Sequence, residues 1–219
     1  MKATYLEFDT ITRLHLGVFV QRVFAELNPG VAYLDNFHIQ IIVNELEKTR
    51  LGELQRLAFA LPPRSLKSII ISVAFPAWLL GHDPTARIIC VSYGQDLADK
   101  MAHDCRQVMQ SDWYRRLFPA TVLAPKRQSL GAFETTLGGG RFSTSVGGVT
   151  TGFGGDFIIV DDPMKPEEAL SDADRRRAND WIQHTLFTRL NDKRRGVIII
   201  VMQRLHEDDV IGNLMEKLA

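Results

Sequence analysis

Apolar residues recur at helical spacing through residues 11–27, and Asn28-Pro29-Gly30 ends that segment, because proline and glycine punctuate helices. Asp35 and Asn36 offer caps for a second helix over roughly residues 37–48, with Ile39, Ile42, Val43 and Leu46 on one face. Gly52 breaks it, and beyond that point the pattern changes. Short continuous apolar runs at residues 57–61 (LAFAL), 87–92 (RIICVS), 157–160 (FIIV) and 196–202 (GVIIIVM) predict buried strands. Helices are expected between and after them, from about residue 67 to 80 and over 96–109, 174–190 and 208–218. Residues 133–137 and 141–145 predict a hairpin around Gly138-Gly139-Gly140. No internal repeat and no low-complexity tract interrupts the series.

Buried strands alternating with helices imply βαβ crossovers, hence an α/β fold with a mainly parallel central sheet flanked by helices. Ligands of such sheets bind at the carboxyl ends of the strands. Candidate chemistry therefore belongs in the loops after Leu61, Ser92, Val160 and Met202.

Composition narrows the classes. The 219 residues carry 26 Lys+Arg against 26 Asp+Glu, with 45% hydrophobic and 24% charged residues, so the chain has enough apolar surface to form a core. Zero net charge argues against a nucleic-acid binder that uses its whole surface, but leaves room for local basic patches or for DNA held by an assembled ring. The most apolar stretch, residues 69–80, is interrupted by Ser72 and Pro76 and is too short to span a bilayer. Glu7 and Asp9 do not fit a signal peptide. Cys90 and Cys105 are too few for a disulfide framework and lack metal-ligand spacing. A reducing cytoplasm is the expected location.

The first strand-end loop reads Leu61-Pro62-Pro63-Arg64-Ser65-Leu66-Lys67-Ser68. A lysine and a serine opening a helix directly after a strand suit a phosphate loop: backbone N–H groups attract the phosphates, Lys67 supplies a point charge and Ser68 a magnesium ligand. Leu61 and Leu66 stand where G-x-x-x-x-G-K-[ST] has glycines. Arg64 offers a second cation for a γ-phosphate. A proline-rich turn with a capping serine and a surface lysine is the competing reading of the same residues.

At the other apolar strand end, Val160-Asp161-Asp162-Pro163 presents two carboxylates. In an ATPase the first holds magnesium and the second orients the attacking water; a helix N-cap or an Asx turn before Pro163 is the alternative. Gln203, at the end of the fourth strand, is placed to sense a γ-phosphate. In His206-Glu207-Asp208-Asp209, consecutive residues rarely converge on one metal ion, so an acidic helix N-terminus is preferred. The glycine-rich residues 147–155 read as a loop rather than a cofactor cradle. Arg175-Arg176-Arg177 and Lys193-Arg194-Arg195 are basic runs, either solvated surface or contacts for a DNA backbone. Trp113, Trp181 and His184 read as packing residues.

Taken in order, these segments resemble the ATPase part of the large terminase subunit of tailed bacteriophages. The resemblance rests on residues 61–68, on Asn36-Phe37-His38 and residues 52–56, and on Val91-Ser92-Tyr93, Trp113-Tyr114 and Phe118-Pro119. It continues through Thr151-Gly152, Ile159-Val160-Asp161-Asp162-Pro163 and residues 203–209, spanning about residues 15–218. It implies a P-loop NTPase fold of the ASCE/RecA-like type, with an extra strand between the two Walker segments. A helical lead-in would occupy residues 1–53 and the ATPase core residues 54–219. Pro63, Arg64, Ser65, Leu66, Lys67 and Ser68 would form Walker A and bind nucleotide. Asp161 with Ser68 would hold Mg2+; Asp162, Lys67 and Arg64 would be catalytic; Gln203 would lie in the coupling motif.

ATP would be the substrate, and double-stranded DNA, a small terminase subunit, the portal protein and sister subunits in a ring the partners, in the cytoplasm of a bacterial host. Many relatives carry an arginine finger in the glycine loop before Walker B; here residues 151–154 supply none, and Arg141 is the substitute candidate. Relatives also carry a C-terminal nuclease domain, so a chain closing at Ala219 is expected to be a truncated chain or a fragmentary prophage gene. The alternatives are a nucleotide-inactive prophage remnant acting only in assembly and a helicase-like ATPase.

Overall fold

The computed structural model describes residues 5–150 and 152–217. Three helices lead in: α1 (Tyr5–Leu14), α2 (Leu16–Leu27) and α3 (Phe37–Arg50). The continuous apolar periodicity at residues 11–27 hides a break at His15, whose backbone is extended at φ −114° and ψ 115°. Strand β1 (Arg56–Ala60) follows, then the loop and a helix whose first part, Ile69–Ala74, winds with π geometry before α4 (Phe75–His82).

After β2 (Arg87–Ser92) come α5 (Gln95–Gln110) and α6 (Asp112–Leu117). Next are β3 (Leu123–Gln128), β4 (Ala132–Thr135), β5 (Gly140–Ser145) and β6 (Phe157–Asp161). Helices α7 (Pro166–Ala169) and α8 (Asp172–Trp181) lead to β7 (Val197–Met202) and α9 (Val210–Glu216). The single helix expected over 174–190 becomes α8, a π-wound turn Ile182–Leu186 and a 3-10 turn Phe187–Arg189.

Among the described residues the strands form one sheet in the order β1-β7-β6-β2-β5-β4-β3. The five strands from β1 to β5 in that order run parallel, and the β5-β4-β3 end is antiparallel. The hairpin expected around Gly138-Gly139-Gly140 is β4-β5. Strand β7 stands between β1 and β6, the two strands that end in the loop at residues 61–68 and in the paired aspartates.

One correction concerns β1. Its run LAFAL reads as buried, yet β1 lies at the sheet edge with Arg56, Ala58 and Ala60 exposed. Apolar composition alone does not separate an edge strand from a central one.

Two cores cover the sheet. One face carries α2, α3, the helix at residues 69–82, α5 and α6, around Phe19, Trp78, Tyr114 and Phe133. The other packs α7 to α9 against Ile158, Val160, Ile198 and Ile200. The lead-in helices thus share the first core directly. Their docking is reinforced where the Leu16 N–H donates to Glu47 Oε1 at 2.7 Å and Trp78 Nε1 donates to the Arg13 carbonyl at 2.9 Å. Among the described residues no helix is long and apolar enough to cross a membrane.

Candidate nucleotide site

The register brings the predicted loops to one edge. Ala60 pairs with Met202, Asp161 with Val201 and Ser92 with Asp161, so the carboxyl ends of β1, β7, β6 and β2 lie level. Their loops therefore meet in space, although residues 61–68, 161–162 and 203 are far apart in sequence.

The first loop has the curvature of an anion cradle. Arg64 and Leu66 both have φ of 62°, while Ser65 between them does not. Alternating left-handed and ordinary residues turn successive N–H groups inward, which is how backbone nests bind anions. Leu66 occupies the position where the phosphate-loop motif has glycine and adopts the backbone glycine would supply, at a cost on the order of 1 kcal/mol. Ser65 Oγ donates to the Pro62 carbonyl at 2.8 Å, and the His38 ring nitrogen Nε2 lies 3.1 Å from the Ser65 carbonyl. These contacts fasten the loop to itself and to α3. Pro63 and Arg64 are exposed, whereas Lys67 is only 6% exposed.

Lys67 Nζ lies 2.8 Å from Asp162 Oδ2. Asp162, itself at φ 46°, joins three strand ends: its N–H donates to the Val201 carbonyl, its carbonyl accepts the Tyr93 N–H, and its Oδ1 accepts the Gln203 N–H at 3.1 Å. Ser68 Oγ donates to Asp161 Oδ1 at 3.2 Å and Ser72 Oγ donates to Oδ2 at 2.7 Å. Asp161 is 2% exposed. Burial pushes its carboxyl up to about 6; the Asp162 charge adds to this, and the serine hydroxyls and Lys67 oppose it. A buried carboxylate in this condition, facing a hydroxyl oxygen, is a hard-oxygen pair suited to a small divalent cation, which takes its other ligands from phosphate and water. Beside the loop lies a cleft of about 280 Å3, walled by Phe24, Ala32, Leu34, Asn36 and His38.

Other expected sites resolve differently. Arg141 cannot project from the surface as a finger: it is 1% exposed, bonded to Ser143 Oγ and to the Ser72 carbonyl. Asp209 is the N-cap of α9, accepting from the Gly212 N–H at 2.9 Å, while its other oxygen accepts from Arg204 Nε and the Leu205 N–H. Among the described residues no group of three or more His, Cys, Asp or Glu side chains forms a metal cluster. Of the basic runs, Arg175 is buried and bonds the Ala169 carbonyl, while Arg176, Arg177 and Lys193-Arg194-Arg195 face solvent. Trp113 packs as expected, Trp181 is half-buried, and His184 is exposed rather than packed. Cys90 and Cys105 are buried free thiols. Thr151 lies outside the described residues. In the sequence Ser72 is only an interruption in an apolar stretch; the folded chain brings it to Asp161.

No protein-family model matches the chain, and no curated protein matches it. Among solved structures it is similar to the large terminase of bacteriophage HK97, with a TM-score of 0.59 and 12% identity over 94% of this chain and 40% of that one. At this identity the likeness concerns the fold alone: a mostly parallel seven-strand sheet flanked by helices. The chain spans about 40% of the length of that terminase.

Proposed function

We propose that this chain is the magnesium-dependent ATPase motor domain of a phage large terminase, driving double-stranded DNA into a procapsid. The observation that carries the reading is the convergence of Lys67, Ser68, Asp161 and Asp162 at one edge of the sheet, beside a loop bent to receive phosphate. The terminase-like fold supports it.

In this reading the amides of residues 64–68 cradle the triphosphate and Lys67 neutralises charge on its β- and γ-phosphates. Arg64, exposed and lining the cleft beside the loop, contributes a second cation to the transferring phosphoryl group. Ser68 and Asp161 would hold Mg2+, which when bound neutralises phosphate charge. Asp162 orients the attacking water. Its bond to the Gln203 N–H links that acid to the loop after β7, so loss of the γ-phosphate is felt at Gln203. The cleft walled by Phe24, Leu34 and His38 suits the base. DNA, a small terminase subunit, the portal protein and sister subunits are the partners this function requires, in a bacterial host cytoplasm.

One residue favours a second reading. Leu66 carries a side chain where the motif has none, and a nucleotide-inactive chain acting only in assembly would tolerate that. Phosphate release from ATP, with and without Mg2+ and with DNA and portal supplied, separates the two. Lys67→Ala is expected to abolish turnover; retained magnesium-dependent hydrolysis in that variant rejects the assignment.

A further inference from the structure

The helix behind the phosphate loop does not wind as a regular α-helix. Ile69–Ala74 has π geometry, which displaces carbonyls from their usual partners and is common at functional sites. Ser72 sits in this turn, 1% exposed, and is bonded from both sides: its hydroxyl donates to Asp161 Oδ2 at 2.7 Å, and its carbonyl accepts from Arg141 Nη2 at 3.2 Å.

Arg141 is the other half of the arrangement. It rises from β5 into the core, where Nη1 donates to Ser143 Oγ and Nε finds no partner. Among the described residues no carboxylate forms an ion pair with it. Burying a guanidinium without a counter-charge costs several kcal/mol. Packing does not require such a residue, since an apolar side chain of similar volume would fill the space at less cost. What an apolar replacement cannot do is donate to Ser143 Oγ within β5 and, across to the helix behind the phosphate loop, to the Ser72 carbonyl.

We propose that Arg141 and Ser72 are positioning residues for the magnesium-nucleotide site: Arg141 holds the π turn through its carbonyl, and the turn holds the Ser72 hydroxyl on Asp161. With Oδ2 tied, the carboxylate cannot rotate, and Oδ1 stays turned towards Ser68 and the cation position. The inference rests on the ATPase reading and adds two residues that touch neither nucleotide nor metal.

The test uses the full chain, with folding checked by circular dichroism. In Ser72→Ala the Mg2+ concentration for half-maximal hydrolysis rises roughly tenfold, as for other partners of metal ligands, while KM for ATP at saturating Mg2+ changes less than about twofold. Ser72→Thr, which keeps the hydroxyl, restores the wild-type Mg2+ dependence. Arg141→Met reproduces the Ser72→Ala shift, and the double variant is no worse than either single one. Should Arg141→Met not fold, Arg141→Lys, which keeps the charge without the forked geometry, takes its place.

An unchanged Mg2+ dependence in Ser72→Ala, or losses that multiply in the double variant, overturns the proposal. A wild-type chain that neither binds nor hydrolyses ATP overturns the ATPase reading instead. The coupling is then read from urea unfolding midpoints of the same variants: non-additive shifts support the link through the turn, and additive shifts refute it.

Discussion

The Lys67 ammonium lies 2.8 Å from Asp162 Oδ2, and the other oxygen of that carboxylate accepts the Gln203 N–H. In the proposed function this ties the phosphate-loop cation to the acid that would position water, and that acid to the loop after β7. A γ-phosphate reaching Lys67 competes with Asp162 for the ammonium. Exchange of one partner for the other would release Asp162 towards water only when nucleotide is in place.

From this pair, opposite effects on binding and turnover are expected. Asp162→Asn weakens the competitor, so ATP affinity should hold or rise up to about tenfold, while hydrolysis falls at least about 100-fold. Calorimetry and phosphate release measure the two quantities. A parallel loss of both would assign Asp162 to structure alone.

Arg64 separates stability from activity. It is exposed and sits at φ 62°, a strained conformation for an arginine. Arg64→Gly should leave the chain as stable or stabilise it by up to about 1 kcal/mol, yet lower turnover by removing a cation from the phosphate site. Thermal melts and steady-state rates on one preparation decide. Lower stability together with unchanged turnover would contradict both parts.

Asp161 sets a pH dependence. Its carboxyl is raised to about 6 by burial, above its ordinary value of 3.8, so between those values the folded chain holds a proton that the unfolded chain releases. The stabilising share is full below about pH 4 and is lost as pH rises through about 6. Relative to Asp161→Asn, wild type should lose roughly 3 kcal/mol between pH 4 and 7. Urea unfolding at a series of pH values gives the difference. Millimolar Mg2+, if held by Asp161 as proposed, should restore part of it above pH 6. A difference that stays flat with pH argues against the buried carboxylate.

Asp209 is expected to be structural. It is fully buried and accepts from the Gly212 N–H, the Leu205 N–H and Arg204 Nε. Asp209→Ala should destabilise by about 3 kcal/mol or more, since it strands donors and an arginine. The loss should be the same in chelator and in added divalent metal, as read by melting temperature. A metal-dependent loss would restore the metal reading of residues 206–209.

What the sequence disclosed follows from burial. Strands β2, β6 and β7 are enclosed by helices on both faces and so read as continuous apolar runs, and their order gave the α/β class. The strand-end setting of Asp161 is legible for the same reason; that of Lys67 is legible from the apolar run of β1, although this strand lies at the sheet edge. Strand β3, with Pro125, Lys126, Arg127 and Gln128, lies at the sheet edge with an irregular register and carries no apolar signature. From sequence Arg141 is a candidate finger, whereas the alternation of β5 turns it into the core. Ser72 was invisible because its role depends on a π turn that no local pattern announces.

The central claim is tested most directly by calorimetric titration of the chain with a non-hydrolysable ATP analogue, with and without Mg2+. The account predicts one site per chain whose occupancy depends on Mg2+, weakened at least about tenfold by Lys67→Ala. Absence of binding at millimolar nucleotide, or identical binding by wild type and Lys67→Ala, would contradict it.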